Sequence, residues 1–114
     1  MSEVYLGLGT NLGNKADNIA GAIRNIEELI GDVVRQSALY GTKPWGFESD
    51  NDFVNAVVCV ETRLSPHEVL AMTQQIERSM GRTEKSENGI YHDRIIDIDI
   101  VFYYFQLIKF ATLM

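Results

Sequence analysis

The chain of 114 residues carries 16 acidic and 10 basic side chains, a formal net charge of -6 at pH 7. This length fits one small domain with a single core, and the acidic excess argues against a nucleic acid or an anionic membrane as the main partner. The only cysteine, Cys59, stands in an apolar run. We expect it to fill the core, which excludes an internal disulfide and fits a reducing compartment.

The first predicted element is a strand over residues 4–9. Val4, Leu6 and Leu8 alternate with Tyr5 and two glycines, as expected for a strand with one face in the core. The glycine face allows another group to approach the backbone closely. The strand begins almost at the N-terminus, with no basic region followed by an apolar one. We therefore expect no secretory signal and a cytoplasmic location.

An amphipathic helix and two further strands are predicted next. Isoleucines recur at helical spacing from Ile19 to Ile30, and we expect Gly31 to end this helix. Residues 33–43 predict the second strand, and residues 55–63 the centre of the third.

A second helix begins at a clear start signal. Ser65 predicts the N-cap, Pro66 the first turn, and Glu68 completes a capping box. We expect the helix to run to Gly81. Residues 82–94 lose the helical period and gather charge, which predicts a long mobile loop.

The last predicted strand carries two acids among isoleucines. Side chains alternate between the faces of a strand, so Asp97 and Asp99 would share one face while Ile96 and Ile98 enter the core. The two α-carbons would lie about 7 Å apart, which suits a pair of ligands to a divalent cation. A half-buried strand that simply presents acids to water would show the same pattern.

The predicted order βαββαβ indicates an α+β fold of the ferredoxin-like type, a four-stranded antiparallel sheet with two helices on one face. We assign residues 1–102 to this core and residues 103–114 to an atypical apolar tail, which is too short to span a bilayer. The uncovered face of the sheet is expected to gather residues from three strands: Tyr5, Gly7, Phe53, Asn55, Asp97 and Asp99.

Paired carboxylates after a cationic loop indicate chemistry on a magnesium-bound polyphosphate. Carboxylates hold the hard cation, the cation contacts phosphate oxygens, and basic side chains offset the charge that moves during transfer. The basic residues available for this role are Arg82, Lys85 and Arg94.

Six segments of the chain resemble, in their order, those of the 6-hydroxymethyl-7,8-dihydropterin pyrophosphokinases. They are Gly7-Leu8-Gly9-Thr10-Asn11-Leu12-Gly13, Tyr40-Gly41-Thr42-Lys43-Pro44, Phe53-Val54-Asn55-Ala56, Gln74-x-x-Glu77, Gly81-Arg82 and Arg94-Ile95-Ile96-Asp97-Ile98-Asp99-Ile100. Each segment falls on the predicted element that the family requires. Enzymes of this family have a ferredoxin-like core and transfer pyrophosphate from ATP to the hydroxymethyl group of a reduced pterin. The reaction releases AMP and belongs to folate biosynthesis.

The resemblance also implies roles for individual residues. Asp97 and Asp99 would hold two Mg²⁺ ions and act in catalysis with Arg82 and Arg94. The implied ATP pocket consists of Gln74, Glu77, Arg82, Lys85, Arg94 and Ile98. The implied pterin pocket consists of Thr42, Pro44, Trp45, Gly46, Phe53, Asn55 and Tyr91. In that pocket, the Asn55 amide would read the pterin edge while Phe53 stacks on the ring.

Two features depart from the family pattern. His92 and Asp93 precede Arg94, where the family usually has a small residue and a proline. Residues 103–114 match no part of a later family segment that carries a histidine, an arginine and an aromatic residue. We therefore expect a short form that binds nucleotide weakly and turns over slowly. We also expect a monomer or weak self-association through the apolar tail.

Two other functions use the same architecture. A palm-like nucleotidyltransferase also sets paired carboxylates on a ferredoxin-like sheet and uses two metal ions. The pair Phe53 and Asn55 and the lack of a basic stripe argue against it. A noncatalytic binding module is the second alternative, which the missing family segment favours.

Overall fold

The computed structural model describes residues 1–42, 52–81 and 95–105, with only the backbone of Phe105. The elements in chain order are β1 (Ser2–Thr10), α1 (Lys15–Leu29), β2 (Gly31–Gln36), β3 (Tyr40–Thr42), β4 (Phe53–Thr62), α2 (Pro66–Ser79) and β5 (Asp97–Phe105). The loop predicted over residues 82–94 lies outside the described residues.

The strands form one antiparallel sheet with both helices on the same face. The described strands follow the order β2-β4-β1-β5, and β3 also pairs with β4. One apolar cluster joins Leu6 of β1 to Ile26 of α1 and Ile76 of α2, all three fully buried. The α+β, ferredoxin-like fold predicted from the sequence is therefore confirmed, with one strand more than expected.

The additional strand arises because the predicted strand over residues 33–43 is broken at Ser37. The Ser37 amide donates to the Val57 carbonyl at 2.8 Å, and the Ser37 hydroxyl accepts from the Val57 amide at 2.9 Å. The serine side chain thus takes the place of a backbone carbonyl, and β2 and β3 run separately along β4. Helix α1 ends at its C-cap Ile30, directly before Gly31 as expected, and Gly31 is the first residue of β2. A Cβ at Gly31 would collide with the Glu61 carbonyl, so this strand pairing requires glycine.

Both helices begin at side-chain caps. The Asn14 side chain accepts from the Asp17 amide at 3.1 Å, at the start of α1. At the start of α2, the predicted capping box is present: the Ser65 hydroxyl accepts from the Glu68 amide, and the Glu68 carboxylate accepts from the Ser65 amide. Hydrogen bonding to the Ser65 backbone lowers the pKa of the Glu68 carboxyl. No helix in the described part of the chain is long and apolar enough to cross a membrane.

Strand β5 contains a bulge beyond the two aspartates. Leu6 lies opposite Ile100, but Tyr5 lies opposite Phe102, so Val101 is the additional residue on β5. A bulge shifts the alternation of side chains, and the Phe102 ring therefore meets the Tyr5 ring edge to face, with centroids 6.2 Å apart. Pairing with β1 continues to Phe105, so the proposed division at residue 102 falls within a strand.

Candidate active site

The two aspartates of β5 lie on the open face of the sheet. Asp97 is directly opposite Gly9 of β1, and Asp99 is opposite Gly7. Opposite residues of an antiparallel pair share a face, and the intervening Ile98 is buried in the core. Asp97 is half-buried, whereas Asp99 is exposed. The predicted arrangement of the two carboxylates on one face of the strand is therefore present.

The chemistry of this pair fits a hard divalent cation. Mg²⁺ prefers oxygen ligands and is usually bound by one or two carboxylates together with phosphate oxygens and water. Among residues 1–42, 52–81 and 95–105, no group of three or more His, Cys, Asp or Glu side chains could hold a metal ion. Asp97 and Asp99 supply oxygen atoms of the kind that Mg²⁺ prefers as ligands.

Asn55 lies on the opposite side of Gly9 from Asp97. It is paired with Gly9 on β1 and with Tyr40 on β3. The Asn55 Nδ2 donates to the Thr42 hydroxyl at 2.7 Å and lies 3.4 Å from the Tyr40 carbonyl oxygen. These contacts fix the orientation of the amide, and they bring together two of the residues predicted to contact a pterin.

Gly9 lies at the centre of the candidate site, and the sequence pattern only partly revealed why this position needs glycine. A Cβ at Gly9 would lie 3.1 Å from the Asn55 Oδ1 and 3.5 Å from the Phe53 Cδ1. Only glycine therefore leaves Asn55 and the half-buried Phe53 undisturbed. Adjacent strands are about 4.8 Å apart, so the row formed by Asn55, Gly9 and Asp97 spans about 10 Å. The glycines on one face of the first strand predicted that some group approaches the backbone closely. They did not identify Asn55 and Phe53 as the side chains that do so.

The turn after β1 is fixed from the helix side. The side-chain amide of Asn18 in α1 donates to the Thr10 hydroxyl at 3.0 Å and to the Leu12 carbonyl at 2.7 Å. The Lys15 ammonium donates to the Asp52 carbonyl at 2.9 Å. These bonds hold the end of β1 and the start of β4 beside the row that contains Gly9.

Helix α2 reaches the outer side of β5 through Glu77. This side chain is buried, 8% exposed, and its Oε2 accepts from the Ile98 amide at 2.8 Å. Gln74, one turn earlier, is exposed. The Ile98 side chain is in the core, so any contact between Ile98 and a nucleotide would be made by its backbone. The two residues of this motif therefore lie in different surroundings, Glu77 buried and Gln74 at the surface.

Cys59 is buried, but on the open face rather than among the core side chains as expected. It lies opposite Tyr5 and alternates with the core residue Val58. Arg35 Nη2 donates to the Tyr5 hydroxyl at 2.6 Å and lies 3.7 Å from the Cys59 sulfur. Hydrogen bonding with Cys59 raises the pKa of Tyr5 and also that of Arg35. This group lies nearer the start of β1 than Gly7 and Gly9 do.

Seven of the residues predicted to act in the site lie outside the described residues. They are Arg82, Lys85 and Arg94 for phosphate or nucleotide, and Pro44, Trp45, Gly46 and Tyr91 for the pterin. The described residues bring together Thr42, Phe53 and Asn55 around one side of Gly9, with Asp97 on its other side. Glu77 and Ile98 meet at the outer side of the same strand.

Comparison with known proteins gives one consistent result. The sequence model of the 7,8-dihydro-6-hydroxymethylpterin-pyrophosphokinase (HPPK) family matches residues 5–113. A 2-amino-4-hydroxy-6-hydroxymethyldihydropteridine pyrophosphokinase of Porphyromonas gingivalis is 48% identical over 101 residues, which cover 89% of this chain and 69% of the relative. A folate synthesis bifunctional protein of Arabidopsis thaliana is 40% identical over 102 residues, 89% of this chain and 20% of that protein.

A solved structure supports the same fold. The Plasmodium falciparum HPPK-DHPS with SDX-DHP superimposes with a TM-score of 0.70 at 20% identity, over 91% of this chain and 29% of that chain. At this identity the similarity concerns the fold alone. The chain spans about two thirds of the length of the bacterial relatives that it matches.

The fold and the paired carboxylates define an α+β protein suited to metal-assisted chemistry on phosphates. The chain belongs to the 7,8-dihydro-6-hydroxymethylpterin-pyrophosphokinase family. The family, the transferase class and the folate pathway predicted from the sequence are confirmed. Neither the palm-like nucleotidyltransferase nor the noncatalytic module is favoured by these matches.

Proposed function

We propose that this chain transfers the pyrophosphoryl group of ATP to the hydroxymethyl group of 6-hydroxymethyl-7,8-dihydropterin. The observation that carries this proposal is the row formed by Asn55, Gly9 and Asp97 across three adjacent strands. It places Asn55 and Asp97 on strands whose backbones are about 10 Å apart, with the backbone of Gly9 between them. A flat ring read by Asn55 could therefore extend its substituent over Gly9 toward the metal-binding side.

On the metal side, Asp97 and Asp99 would hold two Mg²⁺ ions together with phosphate oxygens. When bound, these ions polarise the phosphate and offset its negative charge. The support for this role is the shared face and the oxygen donor set of the two aspartates. The two acids alone should bind Mg²⁺ weakly, so the metal is expected to enter with the nucleotide.

On the pterin side, Asn55 is the central residue of the proposed pocket. Its bonds to the Thr42 hydroxyl and the Tyr40 carbonyl limit the rotation of the amide, so its polar atoms can address one edge of a ring. Phe53 would stack on the ring face. The remaining members of the proposed pocket are Pro44, Trp45, Gly46 and Tyr91.

On the nucleotide side, the proposed ATP pocket follows the outer side of β5. Gln74, Glu77 and the Ile98 backbone belong to it, since α2 and β5 meet there. Arg82, Lys85 and Arg94 supply the positive charge that a polyphosphate requires. Arg82 and Arg94 would contact the phosphates during transfer.

The reaction itself is a direct displacement at phosphorus. The pterin hydroxymethyl oxygen forms a bond to the β-phosphorus, and the bond from this phosphorus to the oxygen bridging to the α-phosphate breaks. The hydroxyl proton is released to solvent water. AMP departs with the bridging oxygen. Catalysis then consists mainly of positioning and charge compensation, which is the kind of contribution that rigid strands can make.

The remaining proposals concern the state of the protein. We propose residues 1–102 as the core, a cytoplasmic location, and a monomer or weak self-association through residues 103–114. Support for self-association comes from Val101, Phe102 and Tyr104, which expose apolar surface on β5. Sedimentation of the parent and of Tyr104→Ser across a range of concentrations tests this: only the parent should become heavier.

The proposed function is tested by measuring AMP formation from ATP, with and without the reduced pterin and with and without Mg²⁺. AMP should appear only when all three are present. Asn55→Ala should require more pterin, whereas the exposed Gln36→Ala on β2 should behave as the parent. AMP formation that does not depend on the pterin, or no AMP from the folded parent, would contradict the proposal.

A further inference from the structure

Glu77 contacts the backbone between the two aspartates. Its Oε2 accepts from the Ile98 amide at 2.8 Å in buried surroundings. A buried carboxylate is costly unless it is hydrogen-bonded, and α2 otherwise buries Val69, Thr73 and Ile76 on this side. A glutamate at this position therefore calls for an explanation beyond filling the core.

The position of β5 in the sheet provides the explanation. Among the described strands, β5 is at the edge, with β1 as its neighbour. Alternate amides of an edge strand point away from the sheet and find no partner strand there. The Ile98 amide instead donates to Glu77, so a side chain from α2 replaces the missing strand at this residue.

Ile98 separates Asp97 from Asp99, and its backbone sets the direction in which both carboxylates point. Ile98 is held from the core side by its buried side chain and from the outer side by Glu77. These two contacts fix the peptide groups on which the spacing of the aspartates depends.

We propose that Glu77 is a positioning residue that fixes Asp97 and Asp99 for metal binding by holding the Ile98 amide. This inference rests on the proposed function. It gives Glu77 a second role besides lining the nucleotide pocket, because Glu77 would orient Asp97 and Asp99 through the backbone of Ile98. Hydrogen-bonded groups that orient metal ligands typically affect metal affinity or activity by 10–100-fold when they are changed.

Two variants separate the hydrogen bond from the charge. Glu77→Gln keeps an acceptor oxygen at the same reach but removes the charge, whereas Glu77→Leu removes the acceptor at similar size. Gln75→Leu, at an exposed position of the same helix, is the matched control. Circular dichroism first shows which variants fold.

Two readouts need no catalysis. Hydrogen exchange measured by NMR reports the Ile98 amide, and the NMR signals of Asp97 and Asp99 report Mg²⁺ titrated in the presence of a nonhydrolysable ATP analogue. We expect slow exchange at Ile98 in the parent and Glu77→Gln, and fast exchange in Glu77→Leu. With the analogue kept at saturating concentration in every protein, the half-saturating Mg²⁺ concentration should rise about 10-fold or more in Glu77→Leu only.

Equal Mg²⁺ dependence in Glu77→Leu and the parent, or equal losses in Glu77→Leu and Glu77→Gln, would overturn the proposal. If Glu77→Leu does not fold, the parent and Glu77→Gln are compared instead. Slow exchange of the Ile98 amide and a similar Mg²⁺ dependence in these two proteins support the proposal. Fast exchange of this amide in either protein contradicts it. A parent that binds Mg²⁺ in this way yet forms no AMP with the pterin would count against the proposed function and leave the positioning role supported.

Discussion

Replacing Gly9 by alanine is the change that most directly probes the geometry of the pterin side. The added Cβ would lie 3.1 Å from the Asn55 Oδ1, about 0.3 Å inside an ordinary carbon–oxygen contact. Asn55 must then move or rotate, and its 2.7 Å bond to Thr42 would be distorted. Phe53, with its Cδ1 at 3.5 Å, limits the space into which the amide can move.

The expected magnitude follows from the hydrogen bonds that Asn55 would offer a ligand. Each is worth about 1 kcal/mol net, so a misplaced amide should weaken pterin binding by about 1–2 kcal/mol, or about 5–30-fold. The close contact of the new Cβ lowers folding stability, whereas replacing a strand glycine by alanine raises it by about 0.5–1 kcal/mol. Because these two effects oppose each other, the free energy of unfolding should change by less than about 1 kcal/mol. Binding and stability should therefore separate.

Fluorescence titration with a pterin analogue measures the affinity, and thermal unfolding measures the stability. The matched control is Gly7→Ala on the same face of β1. Its Cβ would meet the Val101 Cγ2 at 3.3 Å, and Val101 is 62% exposed, so that side chain can turn away. Parent-like pterin affinity in Gly9→Ala, or an equal loss in Gly7→Ala, would refute the reasoning.

Three further predictions use other parts of the fold. Asp97→Asn and Asp99→Asn should each lower AMP formation by about 100-fold with unchanged circular dichroism, and parent-like rates would exclude a metal role. Asn55→Asp should weaken pterin affinity more than Asn55→Ser, because aspartate replaces the amide donor by a negative charge. Fluorescence titration would show this order, and the reverse order would contradict the role of the amide. Ser65→Ala should lower the free energy of unfolding by about 1 kcal/mol in denaturant titrations. The lowered pKa of Glu68 means that its stabilisation is full above the ordinary carboxyl value of 4.5 and is lost as the pH falls through the folded pKa. Glu68→Gln should therefore flatten this part of the stability profile, and an unchanged profile would contradict the capping role.

Local patterns predicted the parts of the fold that depend on neighbouring residues in sequence. The capping box of α2 depends only on Ser65 and Glu68. The position of Asp97 and Asp99 on one face depends only on the alternation of side chains along a strand. For the same reason Cys59 could have been assigned correctly. It has the same parity as Asn55 along β4, and that parity places it on the open face.

Features that depend on a partner strand or helix were not predictable in this way. The break at Ser37 requires the Val57 backbone of β4, and the additional residue Val101 is defined only against β1. The burial of Glu77 requires the edge of β5. The glycine face of β1 was predicted, but the need for glycine at position 9 depends on side chains of β4.

The central claim is pyrophosphoryl transfer from ATP to a reduced pterin, and the products of the reaction test it most directly. ³¹P NMR of the chain with ATP, Mg²⁺ and 6-hydroxymethyl-7,8-dihydropterin should show AMP and a pterin diphosphate forming in equal amounts, because attack occurs at the β-phosphorus. Formation of ADP with a pterin monophosphate would indicate attack at the γ-phosphorus. Release of free pyrophosphate with a nucleotidylated product would indicate attack at the α-phosphorus, and either result would contradict the account.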